Sequence, residues 1–169
     1  QEDKVAVITG ASLGIGANIA NRFLDKGLKV INIANVEPKY QHSNLITVEA
    51  DLTDRMATKS LAEELGREYS VGYFVHCAGT VKPALMEEVK LEEMDYLQEL
   101  HINSALILAQ QFIPGMKAAN FGCIVLVSTR AAIHTSWGCC TSHYLLLSML
   151  ILSRESAWHQ IRKDCHCEW

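Results

Sequence analysis

The chain lacks any excess of positive charge: 15 Lys and Arg stand against 19 Asp and Glu, a net charge of -4 in 169 residues. Such a surface offers a polyanion nothing to hold, so neither nucleic acid nor an anionic membrane is expected as a partner. It also lacks a long apolar run. The longest, Tyr144 to Leu152, falls well short of the roughly 20 residues that a helical span of a bilayer needs. No hydrophobic leader is visible, because the chain begins polar and enters a strand-like run at once. That absence predicts a reducing intracellular, cytoplasmic setting, in which the 6 cysteines are thiols rather than disulfides. Repeats, low-complexity tracts and linkers are missing as well, which predicts one domain over residues 1–169. What is present is ordinary for an α/β protein with a real core: 49% hydrophobic and 20% charged residues.

Strand-like and helix-like patterns alternate along the chain. Val5–Thr9, Lys29–Ala34, Leu45–Glu49, Tyr73–His76 and Gly122–Ser128 read as strands. Ile15–Lys26 reads as a helix, with Ile19, Ala20, Phe23 and Leu24 on one face and Gly27 as its stop. Ala57–Tyr69 reads as a second helix, and Glu92–Ala119 as a long one interrupted near Pro114-Gly115. Alternation of this kind implies a parallel sheet built by right-handed crossovers.

Between the first strand and the first helix lies Thr9-Gly10-Ala11-Ser12-Leu13-Gly14-Ile15-Gly16. A glycine triplet alone is a weak signal. Here strand, turn and helix occur in the order an anion site needs: free N–H groups and the helix dipole face a phosphate, and glycine lets the backbone approach it. The reading is a dinucleotide turn.

This turn resembles the TGxxxGxG motif of the short-chain dehydrogenase/reductase family. The resemblance extends from Lys4 to about Arg130. Asp51-Leu52 is similar to the family's adenine contact, and His76-Cys77-Ala78-Gly79 to its NNAG segment. Asn103 falls on the asparagine of the long helix, and Ile124 to Thr129 on the fifth strand with its catalytic hydroxyl. The resemblance implies a Rossmann-like, doubly wound parallel sheet in three α/β/α layers, with NAD or NADP as cofactor. It also implies hydride transfer to or from an alcohol or carbonyl substrate, and it is compatible with a homo-oligomer. By the resemblance, Gly10, Ser12, Leu13, Gly14, Ile15, Gly16, Asn35, Asp51, Leu52, Ala78 and Gly79 are cofactor residues. Tyr144 is the proton donor, Thr129 orients the substrate oxygen with Ser128 as second choice, and Asn103 supports a proton relay. Two bland alternatives stay open: Asn103 as a cap at a helix irregularity, and Asp51 as a turn residue. No cation stands at Leu13 or Asn35-Val36, which favours NAD. No acid closes the second strand at Ala34-Asn35, which leaves NADP open.

The tail departs from the family, which requires Tyr-x-x-x-Lys where this chain reads Tyr144-Leu145-Leu146-Leu147-Ser148. Arg154 is too far along to replace the lysine. The sixth strand, the loop over the nicotinamide, the substrate lid and the seventh strand have no counterparts before Trp169, so residues 145–169 read as an atypical tail. Reverse translation offers a reason. Tyr-Ser-Ala-Ser-Lys written TAT-TCT-GCT-TCT-AAG becomes Tyr-Leu-Leu-Leu-Ser when one T is lost. In the restored frame the Trp158-His159 junction codes alanine, and Lys163 to Trp169 permits Gly-Leu-Pro-Leu-Arg-Val. A frameshift near Tyr144 is the hypothesis, and coding DNA unable to restore the lysine in the shifted frame would sink it. The expectation is a dehydrogenase with little or no turnover. The competing expectation is an inactive truncated or frameshifted isoform that acts at most as a dinucleotide- or partner-binding protein.

Other constellations carry less. Cys165-His166-Cys167 with His159 lacks the ligand spacing of a zinc site, so no metal is expected, and Cys139-Cys140 does no better. Cys77 and Cys123 read as small buried hydrophobes, and His76 as a structural histidine at a strand end.

Overall fold

The computed structural model describes residues 4–82, 84 and 86–128. Thr129, Tyr144 and the 145–169 tail lie outside the described residues. Five parallel strands form one sheet: β1 (Val5–Thr9), β2 (Lys29–Ala34), β3 (Leu45–Glu49), β4 (Val71–His76) and β5 (Cys123–Leu126), in the order β3-β2-β1-β4-β5. The helices are α1 (Gly14–Asp25), α2 (Arg55–Glu68), α3 (Leu91–Gln98) and α4 (Ser104–Ala118), with a short 3₁₀ turn at Met86–Glu88. The strand order reverses between β1 and β4, the place where open α/β sheets leave a crevice for ligands.

The period of two along β1 sorts its side chains onto two cores. Val5 and Val7 face α2 and α4, with Ile31, Ile33, Phe74, Leu65, Leu108 and Phe112. Ala6 and Ile8 face α1, with Ala20, Leu24, Val30 and Val75. Helices on both faces make the sheet doubly wound and Rossmann-like, as expected. All five β1 side chains are buried, which marks it as the central strand.

Strand boundaries agree with the sequence reading for β1, β2 and β3. One difference matters for the site. The long helix is not broken at Pro114, which lies inside α4. Its ring is exposed, as is Gln110 one turn earlier, so the carbonyl that loses its N–H donor can turn to water. The irregularity lies instead at Glu99–Asn103, a π-helical turn between α3 and α4. As the sequence reading has it, the link from β2 to β3 (residues 35–44) carries no helix. It folds back over the α1 face, where Tyr40 packs beside Ala11 and Leu45.

Candidate dinucleotide site

The Gly10–Leu13 turn leaves β1 at the crevice and is held from three sides. From below, Thr9 is fully buried, and its Oγ1 accepts the N–H groups of Cys77 and Ala78, each at 3.0 Å. This fastens the end of β1 to the segment after β4. From β2, the fully buried Asn32 accepts the Ala11 N–H on Oδ1 at 2.9 Å and donates from Nδ2 to Ser12 Oγ at 3.0 Å. From the β2–β3 link, the Tyr40 hydroxyl donates to the Ala11 carbonyl at 2.8 Å, and the Ser12 hydroxyl donates to the Val36 carbonyl.

Glycine is required here by space as well as by conformation. A Cβ on Gly10 would lie 2.8 Å from Ala78 Cα, and one on Gly16 only 2.2 Å from the Gly10 carbonyl oxygen. Gly14 has open space around its Cα but a φ of +56°, where a side chain is strained. The chain therefore crosses β1, α1 and the β4 loop at backbone contact distance. No acidic residue occupies the first turn of α1. The first amides of a helix have no acceptor within it, and the dipole adds partial positive charge there. One amide is already engaged: the Gly16 N–H faces the Cys77 sulfur and draws its thiol pKa down, against the stronger upward push of burial. The fit to a pyrophosphate is good: an anion-favouring helix end, a turn whose glycines carry no side chain toward a ligand, and no carboxylate in the first turn of α1.

The remaining expected residues fall around this cradle. Leu13 and Ile15 are exposed beside it, and so is Asn35. Ala78 and Gly79 continue from β4, and a Cβ on Gly79 would strike the His101 ring at 2.4 Å. Asp51 is exposed. Its Oδ1 accepts the Thr53 hydroxyl at 2.7 Å and the Thr53 N–H at 2.9 Å, and these bonds hold its carboxyl below the usual range. The turn alternative for Asp51 is thus realised. The Leu52 side chain is 5% exposed and sits in the core between the sheet and α2, so only its backbone could meet a ligand.

Asn103 ends the π-turn. Its Nδ2 donates to Glu99 Oε1 at 2.8 Å, and Arg55 at the start of α2 grips Glu99, with Nε to Oε2 at 2.7 Å. The Arg55 hydrogen bonds hold the Glu99 carboxyl low. The side chain of Asn103 thus secures the helix irregularity. Ser128 is exposed just beyond β5.

Sequence reasoning missed Asn32 and underrated His76. The signal for Asn32 was a lone amide in an otherwise apolar strand. His76 is 1% exposed, and its Nδ1 lies 3.0 Å from Thr9 Oγ1. Both lone pairs of that hydroxyl are used by Cys77 and Ala78, so its O–H donates to Nδ1 and the His76 proton resides on Nε2. Burial pushes this imidazole down to about 4, the nearby His101 adds to the effect, and the Leu100 backbone opposes it. His101 Nε2 lies 2.9 Å from the Thr80 carbonyl, and burial lowers its pKa as well. Cys77 and Cys123 are half-buried rather than buried. Among the described residues no group of His, Cys, Asp and Glu is placed to hold a metal. Nor is any described helix long and apolar enough to cross a membrane.

Residues 4–143 match the family described as short chain dehydrogenase. The chain belongs to that family. It is 27% identical over 172 residues to the NAD-dependent glycerol dehydrogenase of Listeria innocua, covering 94% of this chain and 67% of that one. To the 3-oxoacyl-[acyl-carrier-protein] reductase FabG of Escherichia coli it is 29% identical over 135 residues, covering 76% and 55%. Among solved structures, the ligand-free aldohexose dehydrogenase of Thermoplasma acidophilum superposes with a TM-score of 0.86 at 25% identity, over 95% of this chain and 63% of that one. The chain thus spans only part of the length of the proteins it matches.

Proposed function

We propose that this chain is an NAD-binding oxidoreductase of the short-chain type, acting on a small alcohol or carbonyl substrate. The observation that carries the reading is the crossing at Gly10 and Gly16, where any side chain would strike backbone. A turn that merely reverses direction needs no such approach. The α1 N-terminus and the Gly10–Leu13 turn would hold the pyrophosphate. Asn35 and Asp51 would lie at the adenosine end, and Ala78 and Gly79 along the path to the nicotinamide. When bound, the nicotinamide supplies the site that accepts or gives a hydride. The protein's own part is to bind, orient and move the proton. Thr9, Asn32 and Tyr40 fix the cradle before the ligand arrives, so little ordering remains at binding. Asn103, Thr129 or Ser128, and Tyr144 would handle the hydroxyl proton of the substrate.

NAD is preferred over NADP because Leu13, Asn35 and Val36 bring no cation to a 2′-phosphate, and Glu37 follows them directly. Chemistry is slowed in this sequence, because no lysine stands four residues after Tyr144 to draw its phenol toward neutral pH. The test is NADH titration of the chain by fluorescence, with Gly14→Asp as control. Saturable binding abolished by Gly14→Asp supports the reading, and a soluble chain that binds no dinucleotide overturns it.

A further inference from the structure

We infer that Asn32 is a specificity-determining positioning residue: through Ser12 it clamps the backbone at Val36 against the glycine turn and so sets the discrimination between NAD and NADP. The inference rests on the dinucleotide reading above and adds a residue buried in the sheet, away from the crevice surface.

The argument begins with hydrogen-bond polarity. Asn32 is fully buried in β2, and its amide can sit only one way round. Oδ1 must accept the Ala11 N–H at 2.9 Å, so Nδ2 faces Ser12 Oγ at 3.0 Å and Thr47 Oγ1 at a longer 3.5 Å. Because Nδ2 donates to Ser12, the Ser12 hydroxyl must aim its own single proton elsewhere, and it donates to the Val36 carbonyl. A one-way chain therefore runs from Asn32 to Ser12 to Val36. It joins the sheet, the cofactor turn and the segment after β2, where an acidic side chain commonly meets the ribose 2′-hydroxyl.

What the clamp holds is a segment without its own framework. Residues 35–44 form no helix, and the Tyr40 hydroxyl also ties the link to the glycine turn through the Ala11 carbonyl. A groove of about 520 Å³ opens against this link, with Glu37, Tyr40, His42 and Thr47 among its walls. Lys39 is exposed and is not among them. With the Val36 carbonyl held to Ser12, its exposed neighbour Glu37 is anchored one residue from the turn, and a 2′-phosphate approaching Val36 meets a carboxylate. With the clamp released, the link can withdraw and the penalty on the phosphate falls.

Two substitutions cut the chain at different links. In Asn32→Asp the new carboxylate accepts from both Ala11 and the Ser12 hydroxyl, which turns the Ser12 proton away from Val36. Ser12→Ala removes the donor outright. Dissociation constants for NADH and NADPH would be measured on wild type, both singles and the double, with thermal melts to show that each folds. The expected result is a wild-type preference for NADH of roughly tenfold or more, falling to within about threefold of equality in each single. The double should lose no more than either single, because both act through one chain. Singles that keep the wild-type ratio overturn the inference, as do singles that weaken both nucleotides equally, the mark of a merely structural role. A wild type that binds both equally well overturns it too. A wild type that binds neither overturns the dinucleotide reading, and the inference with it. Should Asn32→Asp fail to fold, Ser12→Ala decides alone.

Discussion

Gly14 and Gly16 stand two positions apart and need glycine for different reasons, so their alanine variants should separate. Gly14→Ala places a Cβ in open space at a φ of +56°, a conformational penalty of about 1 kcal/mol. Gly16→Ala sets a Cβ 2.2 Å from the Gly10 carbonyl oxygen, and backbone cannot yield as a flexible side chain can, so about 3 kcal/mol or more is expected. Urea unfolding of the two variants checks the order, and equal losses would contradict the packing argument. His76 makes a prediction of opposite character, visible only against pH. Its folded pKa of about 4 lies below the ordinary histidine value. Above about pH 6.5 both states are neutral and stability is full; below it the unfolded chain takes up a proton that the folded chain refuses. Stability should therefore fall by about 3 kcal/mol between about pH 6.5 and 4, then level off. His101 acts in the same direction. His76→Asn should flatten most of that slope, whatever it does to stability at neutral pH, and a variant with the wild-type slope would refute the assignment. At this scale the glycines were legible because each shows its type in the sequence. Asn32 was not, since nothing in a strand pattern says what an amide meets across the sheet.

At the scale of elements, the buried strands were the easiest to read. Val5–Thr9 and Lys29–Ala34 are short apolar runs ended by turn residues, and both formed as expected. Helix interiors read well and their irregularities poorly. Pro114 suggested a break that its exposed position makes unnecessary, while the π-turn at Glu99–Asn103 carries no breaker at all. That turn is held by tertiary partners, with Arg55 on Glu99 and Thr80 on His101, and such partners lie far away in sequence. The start of α2 shows a local device instead. Asp54 Oδ1 accepts the Met56 N–H at 2.9 Å and the Ala57 N–H at 3.0 Å, an N-cap that satisfies two orphan donors. Asp54→Ala should cost about 1 kcal/mol in urea unfolding, and Asp54→Asn much less. If the two variants were equally destabilised, the side-chain oxygen would not be the cap. Because α2 begins just after Asp51 and carries Arg55, fraying of its first turn should also loosen Asn103.

Taken as a whole, the molecule divides its proposed work between two stretches of sequence. The glycine turn proposed to cradle a dinucleotide is drawn from β1 and the start of α1, and buried hydrogen bonds from Thr9 and Asn32 fasten it to the segment after β4 and to β2. The proposed proton chemistry would depend on Tyr144, which lies outside the described residues, and the sequence has Ser148 where the family pattern has a lysine. Binding and turnover should therefore come apart. An ordinary phenol ionises at about pH 10, so if no lysine charge assists Tyr144, alcohol oxidation finds little phenolate at neutral pH. Residual oxidation should climb steadily as pH rises toward about 10 rather than level off near neutrality. Ser148→Lys would restore the Tyr-x-x-x-Lys spacing of the family, and a lysine charge near the phenol favours the phenolate. It should raise the rate at neutral pH by about tenfold or more and move the rise to lower pH, with NADH affinity little changed. Steady-state oxidation of a panel of short secondary alcohols across pH, alongside NADH titration, measures both halves. A wild-type chain that turns over at neutral pH as fast as the Ser148→Lys variant would show that its proton transfer does not rely on the missing charge, and that another residue of this chain supplies it.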